Sequence, residues 1–122
     1  ALSMGRGAKT DLYLMNLQTR HLTRLTDVAT STSPRFSPDG RHLLFTSDRS
    51  GEPQIDQMNL QTRQVKRLTM QGFKNFSAVY TPDGQNIIFH LCPFYSMYCP
   101  WPYGCISLTL SKRLICLMDK LS

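Results

Sequence analysis

Three residue types in this sequence have the chemistry to bind or catalyse. The first is cysteine. Cys92, Cys99, Cys105 and Cys116 crowd the C-terminal quarter, and none precedes them. Structural zinc sites favour Cys-x2–4-Cys pairs, which set two thiolates on one tight turn. Here the spacing is Cys-x6-Cys-x5-Cys-x10-Cys, so no metal site is expected. Disulfides, with three pairings for four cysteines, and incidental thiols both stay open. The second type is histidine. His21, His42 and His90 lie in strand-like contexts without a cysteine or carboxylate at ligand spacing. They read as surface or rim side chains. The third is aspartate. Asp39, Asp48 and Asp83 sit in Pro-Asp-Gly and Asp-Arg-Ser-Gly contexts, where the carboxylate bonds back to the turn backbone rather than moving protons. Asp56 stands alone in an alternating segment. A carboxylate buried there without a partner is costly. It therefore faces solvent or an open edge, or it destabilises the strand. No Gly-x-Ser-x-Gly elbow, phosphate loop or dinucleotide fingerprint occurs. No catalytic, cofactor-binding or metal-ligating residue is assigned, no cofactor is expected, and the chain does not read as an enzyme.

The elements that carry these residues come from a repeat. Met15–Arg20 (Met-Asn-Leu-Gln-Thr-Arg) recurs as Met58–Arg63, an offset of 43. Arg24-Leu25-Thr26 returns as Arg67-Leu68-Thr69 at the same offset. Pro38-Asp39-Gly40 returns as Pro82-Asp83-Gly84, and Leu43-Leu44-Phe45 as Ile87-Ile88-Phe89, both at 44. Short apolar runs alternate and end in turn residues, the pattern of strands rather than helices. A period of about 40–45 residues fits a four-stranded propeller blade.

One blade can be written out. An inner strand near Pro34–Ser37 is followed by strands at His42–Ser47, Gln54–Leu60 and Gln64–Leu68. Residues 1–27 give part of the preceding blade, 33–69 a full blade, and 77–90 part of a third. Phe36 and Tyr80 hold equivalent inner-strand positions and read as packing between blades. The expected fold class is all-β: a β-propeller fragment of about two four-stranded antiparallel blades with a divergent C-terminal tail. After His90 the repeat stops. Residues 91–122 bring all four cysteines, the single tryptophan and three prolines. An out-of-frame end, a divergent insertion and a genuine extension all remain open for this tail. Its Ile106–Leu117 stretch suits a strand or a short helix.

Composition narrows the function classes. Apolar residues make up 41% and charged residues 18% of the 122, which argues against wholesale disorder. The net charge of +6 is spread without a run of five like charges, so nucleic-acid binding is a minor reading. No apolar run approaches the ~20 residues that cross a bilayer. Ala1–Thr10 lacks the hydrophobic core of a signal peptide.

Thr32–Gly40 (Thr-Ser-Pro-Arg-Phe-Ser-Pro-Asp-Gly), Phe45–Gly51 (Phe-Thr-Ser-Asp-Arg-Ser-Gly) and Pro53-Gln54-Ile55 resemble the β-propeller of the TolB family. Gln71–Asn75 and Asp11–Asn16 are similar to that family's spacer and preceding blade. The resemblance covers about residues 1–90. It implies a periplasmic, non-enzymatic protein-interaction propeller of the Tol-Pal system, which maintains outer-membrane integrity and in some members serves colicin import. The implied partners are a Pal-like lipoprotein and other Tol proteins. Family blades usually carry an aromatic where Asp56 stands, as Tyr13 does one repeat earlier. Related blades occur in prolyl-oligopeptidase-type serine peptidases, so the propeller of such a peptidase is the alternative. Arginines and aromatics commonly anchor protein interfaces, and Arg35, Arg41, Arg49 and Phe73 are the candidate interaction residues.

Overall fold

The computed structural model describes residues 1–70, 74–92, 105–109 and 114–116. The described residues form strands and turns with no helix, arranged as three antiparallel sheets. The first is β1 (Leu2–Arg6), β2 (Lys9–Met15) and β3 (Leu22–Arg24). The second is β4 (Ser31–Phe36), β5 (His42–Ser47), β6 (Gln54–Asn59) and β7 (Val65–Arg67). The third is β8 (Lys74–Tyr80), β9 (Asn86–Cys92), β10 (Cys105–Thr109) and β11 (Leu114–Cys116). Each sheet runs in chain order, strand beside next strand. Equivalent pairings recur. Ser3 opposes Leu12 in the first sheet as Thr46 opposes Ile55 in the second.

The inner strands begin earlier than the sequence pattern indicates, because pairing continues through a bulge. Register slips between Thr32 and Arg35 in β4 and between Phe76 and Val79 in β8. Ser33 (φ 54°) and Ser77 (φ 53°) supply the left-handed residue at each slip. A bulge inserts one unpaired residue and increases the local twist. Its recurrence at an offset of 44 makes it part of the blade design.

The third sheet continues beyond the last sequence repeat. Backbone 105–109 pairs with β9 (Ile106 opposite Phe89, Leu108 opposite Ile87), and 114–116 pairs with β10. Strand pairing needs only backbone donors and acceptors and a β-compatible chain, so repeat identity can fade while the ladder persists. Cys99 lies outside the described residues.

The core lies between sheets. Leu12, Leu43, Phe45 and Met58 form one cluster joining the first and second sheets. Leu44, Ile55, Ala78, Ile87, Phe89 and Leu91 form another joining the second and third. Leu43 and Leu44 are neighbours in sequence, yet each is fully buried and they enter different clusters. The middle sheet is therefore covered on both faces. This explains why β5 reads as a continuous apolar run rather than an alternating one. Tyr80 packs on the second cluster. Phe36 does not take the same role: it is 46% exposed. The Tyr80 hydroxyl accepts from Gln57 Nε2 on β6, a bond that phenylalanine cannot make and that Leu14, the counterpart of Gln57, cannot offer.

Candidate interaction surface

The up-and-down path fixes two rims. Turns after the first and third strands of a blade gather at one rim, and turns after the second and fourth gather at the other. At the first rim the repeated motifs explain themselves. The Asp39 Oδ1 accepts from Ser37 Oγ at 2.5 Å and from the Arg41 N–H at 3.0 Å, while Ser37 Oγ accepts from the His42 N–H. Asp83, Thr81, Gln85 and Asn86 reproduce this set one repeat later. These bonds hold both carboxyl groups below the usual carboxylate range, the hydroxyl first and the backbone N–H second. Gly40 (φ 72°) and Gly84 (φ 71°) close the turns in a conformation that costs a side chain energy.

The hexapeptide repeat is a second turn device. Asn16 Oδ1 accepts from the N–H groups of Gln18 and Thr19, and the Arg20 N–H bonds the Asn16 carbonyl. Asn59 does the same for Gln61, Thr62 and Arg63. Arg20 and Arg63 adopt φ 64° and 65°, so side-chain bonding to the backbone carries the reversal without glycine.

Arg-Leu-Thr ties the fourth strand to the third. Thr26 Oγ1 accepts from the Leu12 N–H at 2.9 Å, and Thr69 Oγ1 from the Ile55 N–H at 3.0 Å. Arg24 and Arg67 each donate through Nε to the carbonyl of their own threonine. The sequence pattern marks this triplet but not its partners. In the first sheet Arg24 also pairs with buried Asp11 at 2.6 Å. In the second, Gln54 takes the place of Asp11. Its Oε1 accepts from Thr69 Oγ1 and from Asn75 Nδ2, both at 2.7 Å. That network pins β8 to the middle sheet, and only the buried, unequal pair Asp11/Gln54 could have signalled it.

Asp56 is neither solvent-facing nor at an open edge. It is 2% exposed, opposite Phe45 on β5 and Arg67 on β7. Arg49 Nε lies 3.1 Å from Asp56 Oδ2 and donates to Ser47 Oγ at 3.1 Å. Its guanidinium sits 5.3 Å from the centre of the Phe45 ring, within cation–π range. Asp56 Oδ2 accepts no hydrogen bond. Burial pushes its carboxyl up to about 6, against the pull of Arg49 and Arg67.

The four candidate interaction residues do not converge. Arg35 is exposed on inner strand β4, and Arg41 is exposed at the first rim. Arg49 belongs to the opposite rim, with its side chain turned onto Asp56 and Phe45. Phe73 lies outside the described residues. Among the described residues no group of three or more His, Cys, Asp or Glu side chains is placed to hold a metal ion. No helix there is long and apolar enough to cross a membrane.

The TolB beta propeller domain matches residues 1–92. The Tol-Pal system protein TolB of Francisella tularensis subsp. tularensis (strain WY96-3418) is 42% identical over 91 residues, covering 73% of this chain and 21% of that protein. The chain thus spans about a fifth of the length of the curated relatives it matches. TolB from Acinetobacter baumannii superposes with a TM-score of 0.81 at 29% identity, covering 94% of this chain and 28% of that one. Putative TolB from Agrobacterium tumefaciens gives a TM-score of 0.83 at 23% identity, covering 93% and 43%, and shows the shared fold. With a family match over residues 1–92 and the same blades in the structure, this chain belongs to the TolB β-propeller family.

Proposed function

We propose that the chain is a non-enzymatic docking segment of a periplasmic Tol-Pal propeller. In this reading it binds a Pal-like lipoprotein and other Tol proteins through propeller loops, in support of outer-membrane integrity and, in some settings, colicin import. The observation that carries this reading is how the repeated polar residues are spent. Asp39, Asp83, Asn16, Asn59, Thr26 and Thr69 are each bonded within the blade, which leaves recognition to residues the fold does not need.

Arg35 and Arg41 meet that description. Their counterparts one repeat on are Val79 and Gln85, so the blade accepts other side chains there. Both are exposed, and arginine is a common interface anchor. Phe73 is retained as an anchor, on its residue type. Arg49 is retained only as a support for the opposite rim. The propeller of a serine peptidase has no particular observation in its favour.

The test is binding of the whole 122-residue chain to the soluble domain of a peptidoglycan-associated lipoprotein, read by calorimetry or interferometry. Saturable binding is expected. Arg41→Glu and Arg35→Glu should each weaken it by about tenfold or more, the scale of a charged anchor. Absence of binding, or binding indifferent to both substitutions, would refute the respective parts of the reading.

A further inference from the structure

Two junctions between sheets carry equivalent residues but are bonded differently. β2 packs on β4 as β6 packs on β8. At the second junction, Gln54 Oε1 accepts from Thr69 Oγ1 and from Asn75 Nδ2, both at 2.7 Å. One repeat earlier these positions are Asp11, Thr26 and Ser31, at offsets of 43, 43 and 44. They are buried, at 2%, 5% and 0% exposure. Yet Asp11 Oδ1 and Ser31 Oγ have no hydrogen-bond partner. Thr26 Oγ1 accepts from the Leu12 N–H, but its own proton, unlike that of Thr69, meets no acceptor among the described residues. The first junction thus lacks every bond that converges on Gln54 Oε1 in the second, and unmade buried bonds are expensive.

Side-chain length explains the difference. Asp11 is one methylene shorter than glutamine, and Ser31 one atom shorter than asparagine. At roughly 1.3 Å of reach per bond, the 2.7 Å contact opens to about 5 Å. That is too long for a direct bond. It matches one bridging molecule with hydrogen bonds of about 2.8 Å on each side. The occupant has to accept from the Thr26 hydroxyl and donate to a carboxylate, which water does and a metal cation cannot. Arg24 already holds Asp11 Oδ2 at 2.6 Å, so a second positive charge there is repelled. A buried water with two to four polar partners suits such a site. We propose that one water molecule is bound between the first and second sheets, accepting from Thr26 Oγ1 and Ser31 Oγ and donating to Asp11 Oδ1, in the place that Gln54 Oε1 holds one repeat later.

Denaturant unfolding of the whole 122-residue chain tests this through the sign of one substitution. If Ser31 Oγ bonds a water, Ser31→Ala should lower the folding equilibrium constant by about fivefold or more. If Oγ has no partner at all, losing it should raise that constant. Asp11→Gln with Ser31→Asn copies the second junction and replaces the water by a direct bond. The double variant should exceed the product of the two single effects by about tenfold. A crystal structure of the wild type should place a water within about 3.2 Å of Asp11 Oδ1, Thr26 Oγ1 and Ser31 Oγ, and one of the double variant should not. Four results would each overturn the proposal: a gain in stability in Ser31→Ala, additive effects of the pair, a dry junction in wild-type crystals, or a sodium-specific stabilisation lost in Asp11→Gln, which would assign the site to a cation.

Discussion

Neutralising one buried carboxylate should stabilise this protein at neutral pH and remove most of its pH dependence near pH 6. Asp56 has an ordinary value of 3.8 when the chain is unfolded and about 6 when folded. Between those values the folded state holds a proton that the unfolded state has released. The resulting stability is fully present below about pH 4 and is lost as pH rises through 6. A shift from 3.8 to about 6, at about 1.4 kcal/mol per unit, amounts to about 3 kcal/mol. The sign is opposite to that of Asp39 and Asp83, whose lowered values make stability fall only as pH drops below the carboxylate range. The two effects therefore separate in pH. The assay is denaturant unfolding at fixed protein concentration, from about pH 5 to 8. Wild-type stability should fall by about 1.4 kcal/mol across that range, the rest of the effect lying between about pH 3 and 5. Asp56→Asn keeps the shape and removes the titration, so its curve should be nearly flat and should lie above wild type at pH 8. Arg49→Gln withdraws the nearest positive charge and should move the wild-type transition to higher pH. If Asp56→Asn reproduces the wild-type slope, the carboxyl is not the titrating group and the argument from burial is wrong.

Two further perturbations address the blade itself. Thr69→Val removes a fully buried hydroxyl that serves the Ile55 N–H and Gln54 together; unfolding should show a loss of about 1–3 kcal/mol from the orphaned partners, whereas the same change at exposed Thr62 should cost much less. Gly40→Ala puts a side chain at φ 72° in open space, so its cost should be backbone strain alone, about 1 kcal/mol by thermal or chemical melting.

The fold was legible because the sequence repeats what a blade cannot do without. Pro-Asp-Gly and the Asn-led hexapeptide are hydrogen-bonding units closed on their own backbone, and Arg-Leu-Thr reaches the third strand at the same separation of 14 residues in both repeats. Such units depend on a few residues at fixed spacing, and spacing is what a sequence displays. Packing between sheets is less visible. Phe36 and Tyr80 occupy the same place in the repeat, yet one is 46% exposed and the other lies against the core. The two differ in the hydroxyl that Tyr80 offers to Gln57 and in the neighbouring sheet, where Leu14 replaces that glutamine. Asp56 was legible as an anomaly but not as a solution, because Arg49 reaches it from a turn seven positions away, and no pattern of period 2 couples those positions.

Recognition is the hardest layer to read, for a reason the repeat makes explicit. The repeated Asp, Asn and Thr side chains are accounted for by turn or core chemistry, so those residues leave recognition to other positions, among them the ones where the copies diverge. Arg35 against Val79 and Arg41 against Gln85 diverge at exposed positions, and Arg35 donates to the adjacent Pro34 carbonyl in an exposed bond while still facing solvent. Tyr13 against Asp56 and Asp11 against Gln54 also diverge, but Asp11, Gln54 and Asp56 are buried, and their divergence is answered inside the protein by Arg24, Arg49 and Asn75. Divergence alone therefore does not mark an interface. It does so only with exposure and without a buried partner for the side chain, two properties that belong to the folded sheets and not to the order of residues.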